Sequence, residues 1–302
     1  VTIETVYGEP LADAAVVEGG SISLELPWSG EFIARIATAP GQVQVTRSCS
    51  LDCDRPWTRY PMFFFHGMAG TDSFLSVLDY WFGILDALDD DGYEVATDAV
   101  DPFQASALRA EQWADHLDDF FNDGRHRRVN LIGHSQGGLD ARFVAAHLDP
   151  DHRVASVLTI GTPHHGVALV EAAEGLLDSQ LTTAAVDAAF DALVPLWGLD
   201  EDQDIVAQLQ GFHPETAAQF NLDTPDRTDV YYASWGGRSC QALDLLCQAG
   251  ANGEIVTAAL TATHLVLEIL EGDNDGLVSV PSARWGVDYG VITGDHLDEV
   301  GL

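Results

Sequence analysis

From Tyr60 onward, segments of strand length alternate with amphipathic segments, and this alternation constrains the fold of the 302-residue chain more than any other feature. Four of the strand-like runs are rich in apolar and β-branched residues: residues 61–65, 93–96, 129–132 and 154–160. The segments between them carry apolar residues at helical spacing, as at Leu75, Leu78, Phe82, Leu85 and Leu88. This order predicts an α/β fold with a mostly parallel central sheet and helices on both faces. Such sheets bind ligands at the carboxyl ends of their strands.

The first 58 residues have a different pattern. Residues 21–26, 31–36 and 42–46 alternate in polarity or are β-branched, and Gly and Pro separate them. We therefore expect a strand-rich N-terminal extension over residues 1–58, followed by the α/β domain over residues 59–302. The extension either adds strands to the main sheet or forms a small β-subdomain of its own.

The chain carries a formal net charge of −35, and all 13 of its basic residues are arginine. Such a surface repels nucleic acid and anionic membranes, so neither is an expected partner. Two explanations stay open: the charge keeps the protein soluble, or it adapts the protein to high salt, which screens self-repulsion in the compact state. No apolar run approaches the roughly 20 residues that a membrane-spanning helix needs.

The four cysteines form two close pairs, Cys49 with Cys53 and Cys240 with Cys247. An even count in local pairs is typical of short-loop disulfides in an oxidising compartment, although four cysteines allow three connectivities. Neither pair has the CxxC spacing of a zinc site. The residues after Val1 do not resemble a signal peptide, which fits a processed chain as well as one that never had a signal. We expect a secreted, extracellular protein.

Residues 133–137 form a Gly-x-Ser-x-Gly motif, in which Ser135 is a candidate nucleophile. The motif alone is weak evidence, because a chain with 28 glycines matches it easily by chance. Its surroundings strengthen it, since a predicted strand precedes it and a predicted helix follows it, as in the nucleophile elbow of α/β-hydrolases. The elbow needs glycine because side chains there would collide with neighbouring strands. It also presents the serine at the positive end of a helix.

A serine nucleophile needs a base and an acid, and in this fold the acid and then the histidine follow the serine along the chain. Five histidines lie in motif-like positions: His66, His134, His164, His165 and His296. The first two lie before the serine, and the next two follow it too closely for an acid on a separate strand to intervene. His296 is therefore the candidate base. The candidate acid is Asp275, with Asp273 in the same turn-rich loop as its rival.

Seven short motifs follow one another along the chain. They are His-Gly-Met-Ala-Gly at residues 66–70, Gly-His-Ser-Gln-Gly-Gly at 133–138, Ile-Gly-Thr-Pro-His-His-Gly at 160–166, Ala-Ala-Gln-Phe-Asn at 217–221, Tyr-Tyr-Ala-Ser-Trp at 231–235, Asn-Asp-Gly-Leu-Val at 274–278 and His-Leu-Asp-Glu-Val at 296–300. In this order they resemble the bacterial true lipases of the Pseudomonas and Burkholderia type, over about residues 60–300.

The resemblance implies an α/β-hydrolase catalytic domain over residues 59–302. It implies Ser135, Asp275 and His296 as the catalytic triad, and so favours Asp275 over Asp273. The backbone N–H groups of Met68 and Gln136 would form the oxyanion hole.

Further features follow from the resemblance alone. The chemistry would require no cofactor, but a structural calcium ion is implied, with Asp244 and Asp298 as ligands. A helical lid is implied within about residues 166–212, where apolar residues recur at helical spacing. Some members of the family need a folding chaperone, so such a chaperone is an implied partner.

Together these patterns predict a secreted serine lipase or carboxylesterase that hydrolyses acyl esters such as triacylglycerols through an acyl-enzyme. Its expected partners are an acyl-ester or lipid substrate and a lipid–water interface. Two alternatives stay open. One is a short-chain carboxylesterase or polyester hydrolase that uses the same triad. The other is a non-catalytic binding protein that keeps the α/β-hydrolase fold.

Overall fold

The computed structural model describes residues 2–5, 10–13, 30–39, 42–50, 58, 60–68, 80–122, 126–175, 210–240 and 254–302. The chain divides into two compact units, Val1–Arg59 and Tyr60–Leu302. The change of sequence pattern places the boundary one residue earlier, between residues 58 and 59.

The N-terminal unit contains an antiparallel sheet of four strands in the order β2-β1-β3-β4. Their bounds are β1 (Thr2–Thr5), β2 (Pro10–Asp13), β3 (Gly30–Ala39) and β4 (Gln42–Ser50). Strands β3 and β4 pair along their whole length, from Gly30 opposite Ser50 to Ala39 opposite Gln42. The extension thus forms a sheet of its own. The strand predicted over residues 21–26 lies outside the described residues.

The second unit is built on a sheet in the order β10-β9-β8-β7-β5-β6, with β11 also paired to β9. The bounds are β5 (Met62–Phe65), β6 (Val95–Thr97), β7 (Val129–His134), β8 (Val154–Ile160), β9 (Tyr231–Cys240), β10 (Glu254–Ile255) and β11 (Val287–Thr293). Every described strand pair in this sheet is parallel, which confirms the predicted α/β fold. Strand β7 lies near the middle, between β5 and β8.

Helices connect the strands of this unit. They are α1 (Ile84–Asp90), α2 (Ser106–Phe121), α3 (Gln136–Phe143), α4 (Ala168–Gly175), α5 (Pro214–Asp223), α6 (Thr261–Leu270) and α7 (Val280–Ala283). Helix α3 continues as a π-helical turn over Val144–Leu148, so the helix predicted after the Gly-x-Ser-x-Gly motif changes its hydrogen bonding partway. None of the described helices is long and apolar enough to cross a membrane.

Strand β5 is wholly apolar because both faces of the sheet are covered. Phe63 and Phe65 pack on one face with Trp113 of α2, and the rings of Phe65 and Trp113 stack with centroids 4.3 Å apart. Met62 and Phe64 pack on the other face, in a cluster that includes apolar residues of α1. The two faces bury two separate hydrophobic clusters, and the parallel strands bring their carboxyl ends to one edge.

Candidate active site

Ser135 occupies a strained turn between β7 and α3. Its backbone has φ 53° and ψ −129°, a sparsely populated combination for a residue with a side chain, and such outliers cost about 1–3 kcal/mol. The turn is tight, since a Cβ on Gly137 would lie 2.2 Å from the carbonyl oxygen of Phe65. Backbone hydrogen bonds hold the turn, because the Ser135 N–H donates to the Ile160 carbonyl at 2.9 Å. The local geometry is that of a nucleophile elbow.

Asp275 and His296 meet beside His134, the residue that precedes Ser135, since the rings of His134 and His296 have centroids 4.5 Å apart. His296 Nδ1 lies 2.8 Å from Asp275 Oδ2, and both residues are buried. The other carboxylate oxygen, Oδ1, accepts the N–H groups of Leu277 and Val278 at 2.8 and 2.7 Å. The His296 N–H also donates to the Asp275 carbonyl at 2.9 Å. These bonds orient the carboxylate and place the ring proton on Nδ1, which leaves Nε2 as a proton acceptor.

The rival acid is separated from this pair. Asp273 is 64% exposed in its side chain and binds Arg238 Nη1 at 3.1 Å. Asp275 is fully buried and is the carboxylate that pairs with His296.

The other motif histidines have structural partners. Buried His66 accepts the Val100 N–H at 3.1 Å, and burial together with Arg109 lowers its pKa to about 3. Buried His164 contacts Thr159 Oγ1 at 2.9 Å, and burial lowers its pKa well below the usual range. Both are neutral core histidines. His165 is exposed.

The two residues predicted for the oxyanion hole lie on either side of the elbow. Met68 follows the end of β5, and Gln136 is the first residue of α3. The β5 end approaches the serine closely, since a Cβ on Gly67 would lie 2.7 Å from Ser135 Cβ. The Gln136 side chain is anchored away from solvent by donating to the Gln104 carbonyl at 2.8 Å.

A buried ion pair supports the end of β5. Arg109 on α2 and Asp140 on α3 are both fully buried, with Nε and Oδ2 2.7 Å apart. The same guanidinium donates to the His66 carbonyl at 2.6 Å and to the Asp101 carbonyl at 2.8 Å. Arg109 therefore ties the strand that precedes Met68 to the helix that follows Ser135.

Glu299 is a buried neighbour of the Asp275–His296 pair that no sequence pattern indicated. Its Oε2 lies 3.0 Å from His134 Nε2 and 3.7 Å from His296 Nδ1. Burial, and then the nearby Asp275 carboxylate, raise its pKa well above the usual range, which favours the neutral acid. The space exists because residue 237 is glycine: a Cβ there would lie 2.0 Å from Glu299 Oε1.

The described residues do not by themselves form a calcium site. Asp244 lies outside them, and Asp298 Oδ2 accepts the Asp295 N–H at 2.7 Å. Calcium takes six to eight oxygen ligands, and one carboxylate does not supply them. In the described part of the chain, the grouping of possible metal ligands is His134, His296 and Glu299, which is the hydrogen-bonded cluster just described. The calcium prediction thus stays untested.

The predicted lid also lies largely outside the described residues. Its first part is α4, and the described chain resumes at residue 210, shortly before α5.

Several known proteins resemble this chain in sequence or structure. A family model described as palmitoyl protein thioesterase matches residues 61–194. A triacylglycerol lipase of Pseudarthrobacter phenanthrenivorans is 33% identical over 288 residues, which cover 80% of this chain and 89% of that protein. One from Burkholderia plantarii is also 33% identical and covers 80% and 79%. The mature Bacillus licheniformis lipase BlEst2 superposes with a TM-score of 0.60 at 22% identity, over 81% of this chain and 90% of that chain.

Proposed function

Because this chain belongs to the bacterial triacylglycerol lipases of the Pseudomonas and Burkholderia type, we propose that it hydrolyses triacylglycerols and related acyl esters with Ser135 as nucleophile, His296 as base and Asp275 as acid. It is a carboxylic ester hydrolase with an α/β-hydrolase fold. One observation carries the residue assignment: the buried 2.8 Å hydrogen bond between His296 Nδ1 and Asp275 Oδ2, beside His134, which precedes the strained Ser135 turn.

The geometry supports acyl transfer in two steps. Ser135 Oγ attacks the ester carbonyl carbon while His296 Nε2 takes its proton, and the Asp275 carboxylate stabilises the imidazolium that forms. The backbone N–H groups of Met68 and Gln136 bind the oxyanion. Collapse of the tetrahedral intermediate breaks the bond to the alcohol, which receives the proton from His296. Water then attacks the acyl-enzyme by the same route and releases the carboxylic acid.

The residue assignment is tested with Ser135→Ala and a matched control, Ser156→Ala. Ser156 is a half-buried serine whose hydroxyl donates to Asn130 Oδ1 at 2.8 Å on strand β7. Loss of the nucleophile is expected to lower kcat for p-nitrophenyl esters by on the order of 10⁴–10⁶-fold, and the control should stay near wild type. Retention of a tenth of the activity in Ser135→Ala would rule out this nucleophile.

The substrate class is tested with an acyl-chain series. Rates on soluble short-chain esters, emulsified tributyrin and emulsified triolein are compared, together with a long-chain acyl thioester. A lipase is expected to prefer emulsified long-chain esters. A preference confined to short soluble esters would instead indicate the carboxylesterase alternative.

We infer an extracellular location from the cysteines. Cys240 is disulfide-bonded, and none of the described cysteines is a free thiol. Disulfides persist mainly in oxidising compartments. The pairings Cys49–Cys53 and Cys240–Cys247 stay predictions, because Cys53 and Cys247 lie outside the described residues. Peptide mapping of the unreduced protein tests them, and alkylation of four free thiols in native protein would contradict them.

The lid, the lipid–water interface and the folding chaperone are proposals that rest on the family. A lid within residues 166–212 predicts a rise in activity when the substrate passes from solution into an emulsion. A linear dependence through that transition would contradict the lid. Dependence on a chaperone predicts poor recovery of activity when the purified chain alone is diluted from urea, and full recovery would contradict it.

A further inference from the structure

Tyr80 belongs to neither the triad nor the oxyanion hole, yet its hydroxyl contacts residues beside both. The side chain is 7% exposed and packs with Phe64 and Trp81 in one hydrophobic cluster. Its Oη accepts the Gly67 N–H at 2.8 Å and lies 2.6 Å from His134 Nδ1. Gly67 precedes the oxyanion residue Met68, and His134 precedes the nucleophile.

The direction of these hydrogen bonds follows from the donors present. The Gly67 amide can only donate, so the single hydroxyl proton of Tyr80 points to His134 Nδ1. A neutral His134 that accepts at Nδ1 carries its proton on Nε2, and this proton is donated to Glu299 Oε2 at 3.0 Å. Burial keeps both groups neutral, since it raises the pKa of Tyr80 and lowers the pKa of His134 well below its usual range.

The chain of hydrogen bonds ends at Glu299, beside the acid and base. Glu299 Oε2 lies 3.7 Å from His296 Nδ1, and the rings of His134 and His296 have centroids 4.5 Å apart. Three buried side chains, those of Tyr80, His134 and Glu299, therefore extend from the end of β5 to the Asp275–His296 pair. These two halves of the site come from distant parts of the chain.

The backbone at Gly67 is closely packed on two sides. A Cβ on Gly67 would lie 2.7 Å from Tyr80 Oη and 2.7 Å from Ser135 Cβ, so the Gly67 backbone lies in close contact with both side chains. Loss of the hydroxyl would free this backbone on one side. The Met68 N–H that follows would then be aimed less accurately at the developing oxyanion.

We propose that Tyr80 and His134 are positioning residues, which hold the oxyanion-binding end of β5 in register with the Asp275–His296 pair through one buried hydrogen-bond chain. The inference rests on the proposed triad and oxyanion hole. Because oxyanion contacts are made chiefly in the transition state, loss of this alignment should lower kcat and leave KM nearly unchanged. If Tyr80 had only a structural role, its substitution would lower stability without lowering kcat selectively.

The structure supplies a matched control for Tyr80→Phe. Tyr232 on β9 is also 7% exposed, and its hydroxyl accepts a backbone N–H, that of Arg227, at 3.2 Å. It lies near the amino end of β9, at the opposite end of the parallel strands from the site. Both substitutions remove one buried hydroxyl that satisfies one backbone amide. They should therefore lower thermal stability to a similar degree.

The experiment compares kcat and KM of Tyr80→Phe, Tyr232→Phe and Ser135→Ala on a soluble p-nitrophenyl ester. Tyr80→Phe is expected to lower kcat about 10–100-fold with less than a twofold change in KM, whereas Tyr232→Phe keeps kcat. Affinity for a trifluoromethyl ketone, which forms an oxyanion adduct with the serine, should fall in proportion to kcat/KM. Affinity for a long-chain alcohol, which forms none, should not change.

Equal kcat values for the two tyrosine variants, with an inactive Ser135→Ala, would overturn this inference and leave the triad intact. An active Ser135→Ala would instead overturn the proposed function. If Tyr80→Phe does not fold, as judged by circular dichroism, His134→Phe provides the same test. It keeps a ring beside His296 but removes the bonds to Tyr80 and Glu299, and wild-type kcat in that variant would equally refute the proposal.

Discussion

Removal of Arg109 should cost much of the stability of the catalytic domain. We consider Arg109→Met, which keeps an unbranched apolar side chain but leaves the fully buried Asp140 carboxylate without its cation. Breaking a buried ion pair from one side costs about 3–5 kcal/mol. The upper part of that range is expected here, because the carbonyls of His66 and Asp101 also lose a charged donor. Total stabilities are about 5–15 kcal/mol.

The assay is urea unfolding of wild type, Arg109→Met, Asp140→Leu and the double variant. The double variant is expected to be more stable than Arg109→Met by at least about 1 kcal/mol, because no unpaired charge is then left in the core. The surface pair of Arg284 and Asp288 provides a control, since its side chains are 56% and 39% exposed. Arg284→Met should cost about 1 kcal/mol or less.

Two conditions sharpen this prediction. Burial already raises the pKa of Asp140, and Arg109 opposes that rise, so loss of Arg109 raises the pKa further. An acid with a raised folded pKa loses stability as pH increases from its unfolded pKa towards its folded one, so the deficit of Arg109→Met should be larger at pH 8 than at pH 5. Added salt should change it little, because buried pairs are poorly screened. An Arg109→Met loss below about 1.5 kcal/mol, or strictly additive losses in the double variant, would refute the reasoning.

Three further predictions concern the site. The double variant Asp275→Asn/Glu299→Gln should lower kcat by about 10⁴-fold. Asp275→Asn alone should lower kcat less, because Glu299 Oε2 lies 3.7 Å from His296 Nδ1 and can partly replace Asp275 as the carboxyl partner of His296. Equal losses of kcat in the single and double variants would contradict this. The raised pKa of Glu299 makes wild type lose stability as pH rises above about 4.5, so Glu299→Gln should become more stable relative to wild type by up to about 1.4 kcal/mol per pH unit. If the difference in unfolding free energy between the two proteins, measured in urea, does not change with pH, Glu299 is not held neutral. If calcium binds, EDTA should lower Tm in wild type but not in Asp298→Asn, and an unchanged wild-type Tm would remove the calcium proposal.

The elements that the sequence predicted best are those with a strong local pattern of residue types. Strand β8 was expected over residues 154–160 and has those bounds, because a β-branched run between turn residues fits a covered parallel strand. Strand β11 was not predicted. Much of it is exposed, and its place is decided by pairing with β9, a contact that no local pattern encodes. The π-helical turn after Phe143 likewise has no signal in the sequence.

The site shows the same division. Motif and chain order lead to Ser135 and His296 as candidates, since the fold requires that order, whereas the choice of Asp275 over Asp273 came from the family resemblance. Glu299 and Tyr80 could not be predicted as site residues, because their contacts are with residues distant in the sequence. A glutamate next to Asp298 looks like a solvated surface residue, and only the turn over Asp298–Val300 directs it into the core. A tyrosine in an apolar cluster looks like packing until Gly67 and His134 are seen beside its hydroxyl.

The order of the strands in the main sheet has a consequence for refolding. The serine turn is held by β7, α3 and β8, which follow one another along the chain, so it can form early from contacts between neighbouring elements. His296 follows β11, so it reaches the site only after β11 has paired with β9. Helix content should therefore recover before ester hydrolysis does during refolding. The rate at which activity returns would then report the rate at which β11 pairs with β9.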